Sequence, residues 1–312
     1  MAYSRYRRKP RRTYRKSGPK RRYSARRSRY TAKTRRYTRK RPMSKRSILN
    51  TTSQKKRDKM LTWSNSTATS QSGGTTYASL PAIVTGAVTN VPAVFMWCAT
   101  ARDNTTNSSN NKGNKFDLAT RTSSEVYMVG LKEVIEIQVA DNLPWQWRRI
   151  CFTYKGFNTL NGALPGPSTS FNPAIELSVG YVRVLNQLAP SQQTTFFQLL
   201  FQGGQAQDWQ DPLTAKVDTE RLSIKYDKTC TIASGNEGGV IRKYNKWHPM
   251  RHNLMYDDDE SGGTVNPISY SVDSRRGMGD YWVVDIIKPR MGASASNQLS
   301  FNCESTLYWH ER

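Results

Sequence analysis

Acidic residues are missing from the first 46 residues of the chain, which contain 16 Arg and 6 Lys. Residues 1–59 contain 26 basic residues and one acid, Asp58, so their net charge is 26 − 1 = +25. The other 48 − 26 = 22 basic and 23 − 1 = 22 acidic residues leave residues 60–312 formally neutral. An arm that carries all of the net charge, joined to a neutral body, predicts that the chain binds a large polyanion.

Apolar residues are also scarce in this arm, whose first branched aliphatic side chains are Ile48 and Leu49. Such a segment cannot bury enough surface to offset its ordering entropy, so we expect residues 1–59 to be disordered until they bind a partner. The arm has no amphipathic apolar face, which disfavours binding to a membrane surface. It lacks the apolar core of a secretory signal, and no apolar run in the chain is long enough to span a bilayer.

Cysteine and histidine are rare, with four Cys and three His in 312 residues. Because no two cysteines form a Cys-x-x-Cys pair, we expect all four to be buried as small apolar side chains without disulfides: Cys98, Cys151, Cys230 and Cys303. His248 and His252 have the spacing of a zinc-ligand pair, but a zinc finger needs two nearby cysteines and Pro249 opposes a helix there. We therefore expect neither a metal site nor a cofactor.

Catalytic motifs are absent too. The chain contains no Gly-x-Ser-x-Gly, no phosphate-binding loop, no dinucleotide fingerprint and no paired histidine motif of a nicking enzyme. The densest acidic cluster, Asp257-Asp258-Asp259-Glu260, lacks the alternating ligand spacing of a calcium loop. We interpret it as a solvated loop or one that pairs with basic residues of a neighbouring subunit, with a divalent ion between subunits as an alternative. The sequence therefore predicts that the protein is not an enzyme.

What the arm does contain is arginine interleaved with tyrosine. A guanidinium group can bind two phosphate oxygens at once, and a tyrosine ring offers a stacking face to an unpaired base. This combination favours a single-stranded nucleic acid, although composition alone would permit DNA or RNA. The predicted nucleic-acid-binding residues are Arg5, Arg7, Arg8, Arg11, Arg12, Arg15, Arg21, Arg22, Arg26, Arg27, Arg29, Arg35, Arg36, Arg39, Arg41, Tyr14, Tyr23, Tyr30 and Tyr37.

Two further properties of the arm follow from its composition. No base-reading motif is present, so we expect little sequence specificity. Blocks such as Arg7-Arg8-Lys9-Pro10-Arg11-Arg12 and Lys55-Lys56-Arg57 also match nuclear import signals, a role compatible with nucleic-acid binding.

The body, residues 60–312, has the length of one large domain and shows the two-residue alternation of β-strands. Long polar loops separate the strands. One or two short helices are expected, and one of them is predicted from Pro190-Ser191 to Gly203-Gly204. The pattern predicts an all-β fold, a sandwich or barrel, and specifically an eight-stranded antiparallel jelly roll of two sheets. The predicted strands are centred on residues 93–100, 135–139, 146–154, 175–185, 222–226, 240–247, 281–287 and 299–309.

The arm, the β-rich body and three segments of sequence resemble the gemycircularvirus-like capsid proteins of the genomoviruses, which are small circular single-stranded DNA viruses. The segments are RLSIKYDKTCTIASG (221–235), RKYNKWHPMRHNLMYDDDESG (242–262) and GDYWVVDIIKPRMG (279–292). The geminivirus coat protein is similar more distantly. Its cysteine/histidine finger-like element has no counterpart here, because the arm contains neither residue, so metal-assisted DNA binding does not carry over.

The resemblance implies a jelly-roll subunit that forms an icosahedral shell around circular single-stranded DNA, with nuclear entry during assembly. Sixty copies, the smallest such shell, would supply 60 × 25 = 1500 positive charges, enough to neutralise roughly 1.5 kilobases of single strand. We expect deletion of residues 1–59 to leave a folded body that no longer packages nucleic acid. The main alternative is a cellular nucleic-acid packaging or ribosomal-type protein with a basic tail; an enzyme tethered to DNA by the arm is a second.

Overall fold

The computed structural model describes Gly18 and residues 42–71, 73–86, 91–106, 111–156, 172–235 and 238–312. The chain divides into two units, Met1–Ser44 and Lys45–Arg312. The compact unit therefore begins at Lys45, whereas the composition predicts a boundary after residue 59. Residues 45–59 were expected to be disordered, but they form a helix and a strand of the compact unit.

The described residues form two helices and seventeen strands. The helices are α1 Lys45–Thr52 and α2 Pro190–Leu200. The strands are β1 Gln54–Met60, β2 Thr62–Ser64, β3 Ala82–Thr85, β4 Ala93–Cys98, β5 Thr105–Thr106, β6 Asn111–Lys112, β7 Glu125–Val139, β8 Trp145–Tyr154, β9 Glu176–Leu177, β10 Gly180–Tyr181, β11 Arg183–Leu185, β12 Ser223–Ile232, β13 Val240–Met255, β14 Asp259–Ser261, β15 Thr264–Asn266, β16 Asp280–Pro289 and β17 Gln298–Glu311.

Most of the strands belong to two antiparallel sheets. A five-stranded sheet has the order β1-β17-β7-β13, with β3 paired to β17 as well, and a four-stranded sheet has the order β12-β8-β16-β4. The remaining strands form short two-stranded pairs, of which β11 with β2 is parallel. The predicted all-β class is confirmed.

A hydrophobic layer lies between the two sheets and consists of the side chains that alternate inward along each strand. The buried side chains of the five-stranded sheet include Met60, Leu131, Ile135, Ile137, Leu299, Phe301, Leu307 and Trp309. They pack against Phe95, Trp97, Trp145, Trp147, Tyr281, Val283 and Ile287 of the four-stranded sheet. Apolar residues at every second position thus account for the sandwich.

Helix α2 covers the opposite face of the four-stranded sheet. Pro190 occupies its first turn, where a missing N–H costs nothing, and the Ala189 N–H donates to Gln192 Oε1 at 3.0 Å. The N-cap is therefore Ala189, one residue before the predicted cap at Pro190-Ser191. The predicted helix itself is confirmed. Its buried apolar side chains are Phe196, Phe197 and Leu200. They pack with side chains of the four-stranded sheet: Val94, Met96, Ile150, Phe152, Trp282, Val284 and Ile286.

Seven of the eight predicted strand segments coincide with observed strands. The exception is 175–185, which is three short strands, β9, β10 and β11, rather than one. Strand β1 was missed. Its inward side chains are Lys56, Asp58 and Met60, so it lacks the apolar alternation by which strands are recognised.

Candidate nucleic-acid interface

The predicted nucleic-acid-binding residues of the arm, from Arg5 to Arg41, all lie outside the described residues. The first element after them is α1, an exposed helix of eight residues that leads directly into β1. Strand β1 lies at the edge of the five-stranded sheet, where among the described strands it pairs with β17 alone.

Strand β1 divides its own charges between the two faces of the sheet. Lys56 lies inside, where its Nζ is 3.2 Å from Glu311 Oε2 and donates to the Thr120 carbonyl at 2.6 Å. Asp58 also points inward and forms a 2.5 Å ion pair with Arg102. Because Lys56 is buried, the block Lys55-Lys56-Arg57 is not accessible as a linear import signal while this unit is folded.

The revised boundary changes the distribution of charge. Residues 1–44 contain 15 Arg, 5 Lys and no acid, a net charge of +20, while residues 45–312 have 48 − 20 = 28 basic and 23 acidic residues, a net charge of +5. The folded unit is therefore weakly basic rather than neutral, and its excess comes from residues 45–59. Lys55, Arg57 and Lys59 are the members of this segment that β1 exposes.

These three side chains lie on the outer face of the five-stranded sheet, the face turned away from the four-stranded sheet. The strand register places successive rows of side chains across this face from β1 to β13. In the first three rows the residues come from β1, β17, β7 and β13 in that order: Lys55, His310, Tyr127 and Asn253; Arg57, Tyr308, Gly130 and Pro249; Lys59, Thr306, Lys132 and Trp247. The next two rows come from β17, β7 and β13 only: Glu304, Val134 and Asn245; Asn302, Glu136 and Lys243. Aromatic and basic residues are concentrated in the first three rows.

Two aromatic pairs occupy these rows. The rings of Trp247 and Tyr308 have centroids 5.8 Å apart, and those of Tyr127 and His310 are 6.1 Å apart. Trp247 is 47% exposed and Tyr127 is 37% exposed, which is unusual for large aromatic side chains on a sheet. Burial and the charge of Lys55 lower the pKa of His310, which favours the neutral form of its ring.

A glycine makes the first pair possible. A Cβ at Gly130 would lie 2.7 Å from Cζ2 and 2.9 Å from Cη2 of Trp247. The indole ring therefore lies across the backbone of β7 to reach Tyr308 on β17, a position that any side chain at residue 130 would obstruct.

A cluster of ionised side chains lies buried between the sheets. Glu133 of β7 binds Arg149 of β8 and, at 3.1 Å, Arg183 of β11. Asp285 of β16 accepts from Arg149 Nε and Nη2 at 2.7 and 2.8 Å, and its Oδ2 lies 3.3 Å from Arg183 Nη2. His248 Nε2 lies 3.5 Å from Glu133 Oε2. Two carboxylates thus neutralise two guanidinium groups.

This cluster holds the sheets together rather than offering an active site. Its four charged side chains are at most 1% exposed, so a substrate cannot reach them. Burial alone would raise the pKa of Glu133, but the charges of Arg149 and Arg183 lower it well below its ordinary value. Glu133 therefore remains ionised in the folded protein, since its acidic form would leave both cations undercompensated.

The acidic cluster at 257–260 pairs within the chain. Arg121 binds both carboxylate oxygens of Asp258 at 2.5 Å, and its guanidinium stacks 3.9 Å above the ring of Tyr256. Ser124 Oγ donates to the same carboxylate at 2.7 Å. Asp259 and Glu260 are exposed in the β14–β15 hairpin. Asp258 is thus not the solvated or intersubunit group that the sequence suggested.

A second pair of carboxyl groups lies at a surface cleft. Glu176 is half-buried beside Asp103, and both line a cleft with Tyr181 and Arg102. Burial, followed by the charge of Asp103 and a hydrogen bond with it, raises the pKa of Glu176 to about 7. The carboxyl group of Glu176 therefore keeps its proton to a higher pH than an exposed glutamate does.

The four cysteines are all free, as expected, and Cys98, Cys151 and Cys303 are buried. Cys230 is only half-buried, so the expectation of burial is confirmed for three of the four. His248 is buried and His252 is exposed, on either side of a bulge in β13, which separates the two histidines that the zinc motif would need together. In the described part of the chain, no group of three or more His, Cys, Asp or Glu could hold a metal ion.

No protein-family model and no curated protein matches this chain. Among the residues that the structure describes, no helix has both the length and the apolar character needed to cross a membrane.

Proposed function

We propose that this chain is a viral capsid protein, which self-assembles into an icosahedral shell and packages circular single-stranded DNA through its basic arm. The observation that carries the proposal is the division of charge. A segment of 44 residues has a net charge of +20 and no acid, and it is joined to an all-β unit of 268 residues with a net charge of only +5. The first part suits a polyanion, and the second can pack against copies of itself without strong repulsion.

The order of the strands supports the jelly roll. Eight strands form the two central four-strand paths, and in chain order they are β1, β4, β7, β8, β12, β13, β16 and β17. Numbered in this way, the sheets have the orders 1-8-3-6 and 5-4-7-2. Two four-stranded sheets with these crossovers support the proposed jelly roll, an eight-stranded fold of two Greek keys that occurs in viral capsid domains. Strand β3 adds a fifth member to one sheet.

The segments that carry the resemblance to genomovirus capsid proteins coincide with the framework of this fold. Residues 221–235 include β12, 242–262 run along most of β13 into β14, and 279–292 contain β16. Three long strands, rather than surface loops, therefore carry the similarity.

In the proposed assembly, the arms neutralise the genome and the folded units form the wall. Sixty arms of +20 supply 60 × 20 = 1200 charges, and residues 45–59 add 60 × 5 = 300. Together they match roughly 1.5 kilobases of single strand at one charge per nucleotide. Each bound arm raises the local concentration of the next, so weak individual contacts become strong in the shell.

A test is electron microscopy of protein purified in high salt and then dialysed with circular single-stranded DNA. Uniform closed particles whose nucleic acid resists DNase are expected, and RNase should leave it intact. A polypeptide that stays single at every salt concentration, with or without DNA, would overturn the proposal.

The cellular packaging or ribosomal-type protein is retained as a second candidate because of Lys55, Arg57 and Lys59. Such proteins carry basic residues on the folded part that touches the nucleic acid, as this unit does on its outer face. Open nucleoprotein complexes of irregular size, in the same micrographs, would favour this candidate.

A further inference from the structure

We propose that the outer face of the five-stranded sheet stacks unpaired bases, with Trp247 and Tyr308 at its centre and Lys55, Arg57 and Lys59 binding the phosphates. The inference rests on the proposed packaging function and gives it a second binding surface, on the folded unit itself. No element in the described residues covers the four aromatic side chains of this face completely, since each is half or partly exposed.

The geometry of the rings fits stacking on bases. Tyr308 and His310 are neighbours on one face of β17, about 6.6 Å apart along the strand, and each has an aromatic partner on another strand. The four rings thus form one patch across β17, β7 and β13. Base–aromatic stacking does not depend on sequence, because every base has a π-face, which agrees with the absence of a base-reading motif.

Neighbouring groups hold the ring of Trp247 in a defined position. An exposed indole without support would be free to change rotamer, whereas this one lies against the bare backbone at Gly130 and beside Tyr308. Holding a ring in place before binding reduces the entropy that binding costs. The hydrophobic effect alone gives no reason to expose it.

The charges beside the rings select an anionic strand. Lys55, Arg57 and Lys59 project at every second residue of β1, and Lys132 lies between Thr306 and Trp247 in the third row. The acids Glu304 and Glu136 lie in the next rows, where Lys243 is 3.9 Å from Glu136, so the cationic part ends there. At its other end, Glu125 accepts from Asn253 at 2.8 Å.

Other occupants fit less well. The same face of a second copy would bring four cations towards four cations, and an acidic peptide would use the cations but not the rings. A single-stranded nucleic acid uses both. Strand β1 has three of the four cations, and residues 1–44, with a net charge of +20, precede the folded unit in the sequence. The arm and the face would then hold successive parts of one strand.

The test compares two oligonucleotides of equal length and charge, oligothymidylate and its abasic counterpart, binding to the full chain. The variants are Trp247→Leu, Trp247→Tyr as the conservative form, and Ile241→Ala as the control, since Ile241 is an exposed apolar residue elsewhere on the same strand. We expect Trp247→Leu to weaken binding of oligothymidylate at least fivefold and to leave the abasic strand unchanged. The other two variants should bind as the wild type does.

Equal affinity of wild type and Trp247→Leu for oligothymidylate would overturn the stacking proposal and leave the packaging function standing. Failure of the wild type to bind either oligonucleotide would overturn both the stacking proposal and the packaging function.

Photo-crosslinking of the wild type to an oligonucleotide with 5-iododeoxyuridine gives an independent measurement. We expect crosslinked peptides that contain residues 127, 247, 308 or 310. Crosslinks restricted to residues 1–44, or loss of self-association in Trp247→Leu without DNA, would contradict the proposal.

Discussion

Arg149 and Asp285 face each other directly across β8 and β16 and are joined by two parallel hydrogen bonds of 2.7 and 2.8 Å. Trp147 Nε1 donates to the same carboxylate at 2.7 Å, and Glu133 from the other sheet binds the remaining side of the guanidinium. The pair is closed to solvent, so its ions are stabilised by each other and not by water. Removing either charge would leave the rest of the cluster uncompensated.

The first prediction is that Asp285→Asn destabilises the fold by about 3–5 kcal/mol, because it leaves a net positive charge in a dry interior. The measurement is the free energy of unfolding from urea denaturation, at a salt concentration that keeps the chain monomeric. The loss of unfolding free energy is this large because the unpaired positive charge is buried away from water. In the wild type, the paired carboxylates offset the cost of that burial.

Glu304→Gln is the matched control, because Glu304 is exposed on the outer face and an exposed charge contributes little. Its free energy of unfolding should stay within about 0.5 kcal/mol of the wild type. A loss below about 1 kcal/mol for Asp285→Asn would mean that water enters the cluster and compensates its charges.

The second prediction concerns where the arm can be cut. A chain that lacks residues 1–44 should fold with the thermal midpoint of the full chain and fail to package DNA. A chain that lacks residues 1–59 should unfold at a much lower temperature, because it also loses β1, the buried Lys56–Glu311 pair and the partner of Arg102. Differential scanning calorimetry of the two truncations measures the difference.

This prediction replaces the expectation that removal of residues 1–59 leaves a folded body. If both truncations unfold at the same temperature, the edge strand contributes nothing and the boundary after residue 59 is correct after all. The shorter truncation serves as the control for loss of charge, since it removes the +20 of residues 1–44 without touching the sheet.

The third prediction is a pH dependence set by Glu176. Its pKa rises from 4.5 to about 7 in the folded state. As the pH rises from 4.5 to 7, the unfolded chain releases this proton while the folded chain keeps it, so the free energy of unfolding falls. Stability from this group is therefore complete below about pH 4.5 and lost above about pH 7. Urea denaturation of Glu176→Gln across this range should show a smaller decrease than the wild type.

Two comparisons isolate the effect. Asp103→Asn should lower the pKa of Glu176, because it removes a negative neighbour, and the decrease in the free energy of unfolding should then occur at lower pH. The asparagine keeps an oxygen that can accept the hydrogen bond from the Thr105 N–H, which is 3.1 Å long in the wild type. Asp280 is a second carboxyl whose pKa burial raises to about 7, and its contribution remains in both variants. Identical pH profiles for wild type and Glu176→Gln would show that Glu176 is solvated.

The fourth prediction is that one cysteine reacts much faster than the other three. Burial raises the pKa of the Cys151 and Cys303 thiols to about 12 and that of Cys98 well above its usual range, whereas Cys230 is half-buried on β12. A thiol reagent at pH 8 should modify one group rapidly and the others only after urea is added. The rapid phase should vanish in Cys230→Ser; rapid reaction of several groups in that variant would indicate that the sandwich opens.

Much of the framework could be predicted from the sequence, because it follows from alternation. The run Leu299, Phe301, Cys303 shows which residues of β17 face the core, and Phe196 with Leu200 shows the buried side of α2. These side chains are apolar, and apolar side chains on one face indicate burial without knowledge of their partners.

The missed features depend on partners far away in the chain. Lys56 looks like part of a basic run until Glu311 is known to lie opposite it, and Glu133 looks like a surface charge until Arg149 and Arg183 are placed beside it. A signal was present for Glu133 and Asp285, since each stands at an inward position between apolar neighbours. Nothing in a periodic pattern identifies the opposite charge.

The outer face was missed for a related reason. Trp247 and Tyr308 are separated by 60 residues in the chain, and only the register of β13, β7 and β17 brings their rings together over Gly130. Aromatic residues at alternating positions are ordinarily assigned to a core, so the sequence could not show that these are exposed.

The pairing of β1 with β17 has a consequence for how the protein is made. Gln54 of β1 lies opposite Glu311 of β17. Strand β1 therefore cannot pair until β17, which is synthesised more than two hundred residues later, has been translated. Until then β1 has no partner strand, and Lys56 lacks the carboxylate of Glu311 with which it pairs in the folded unit. The edge of the five-stranded sheet therefore closes only after translation of β17 is complete.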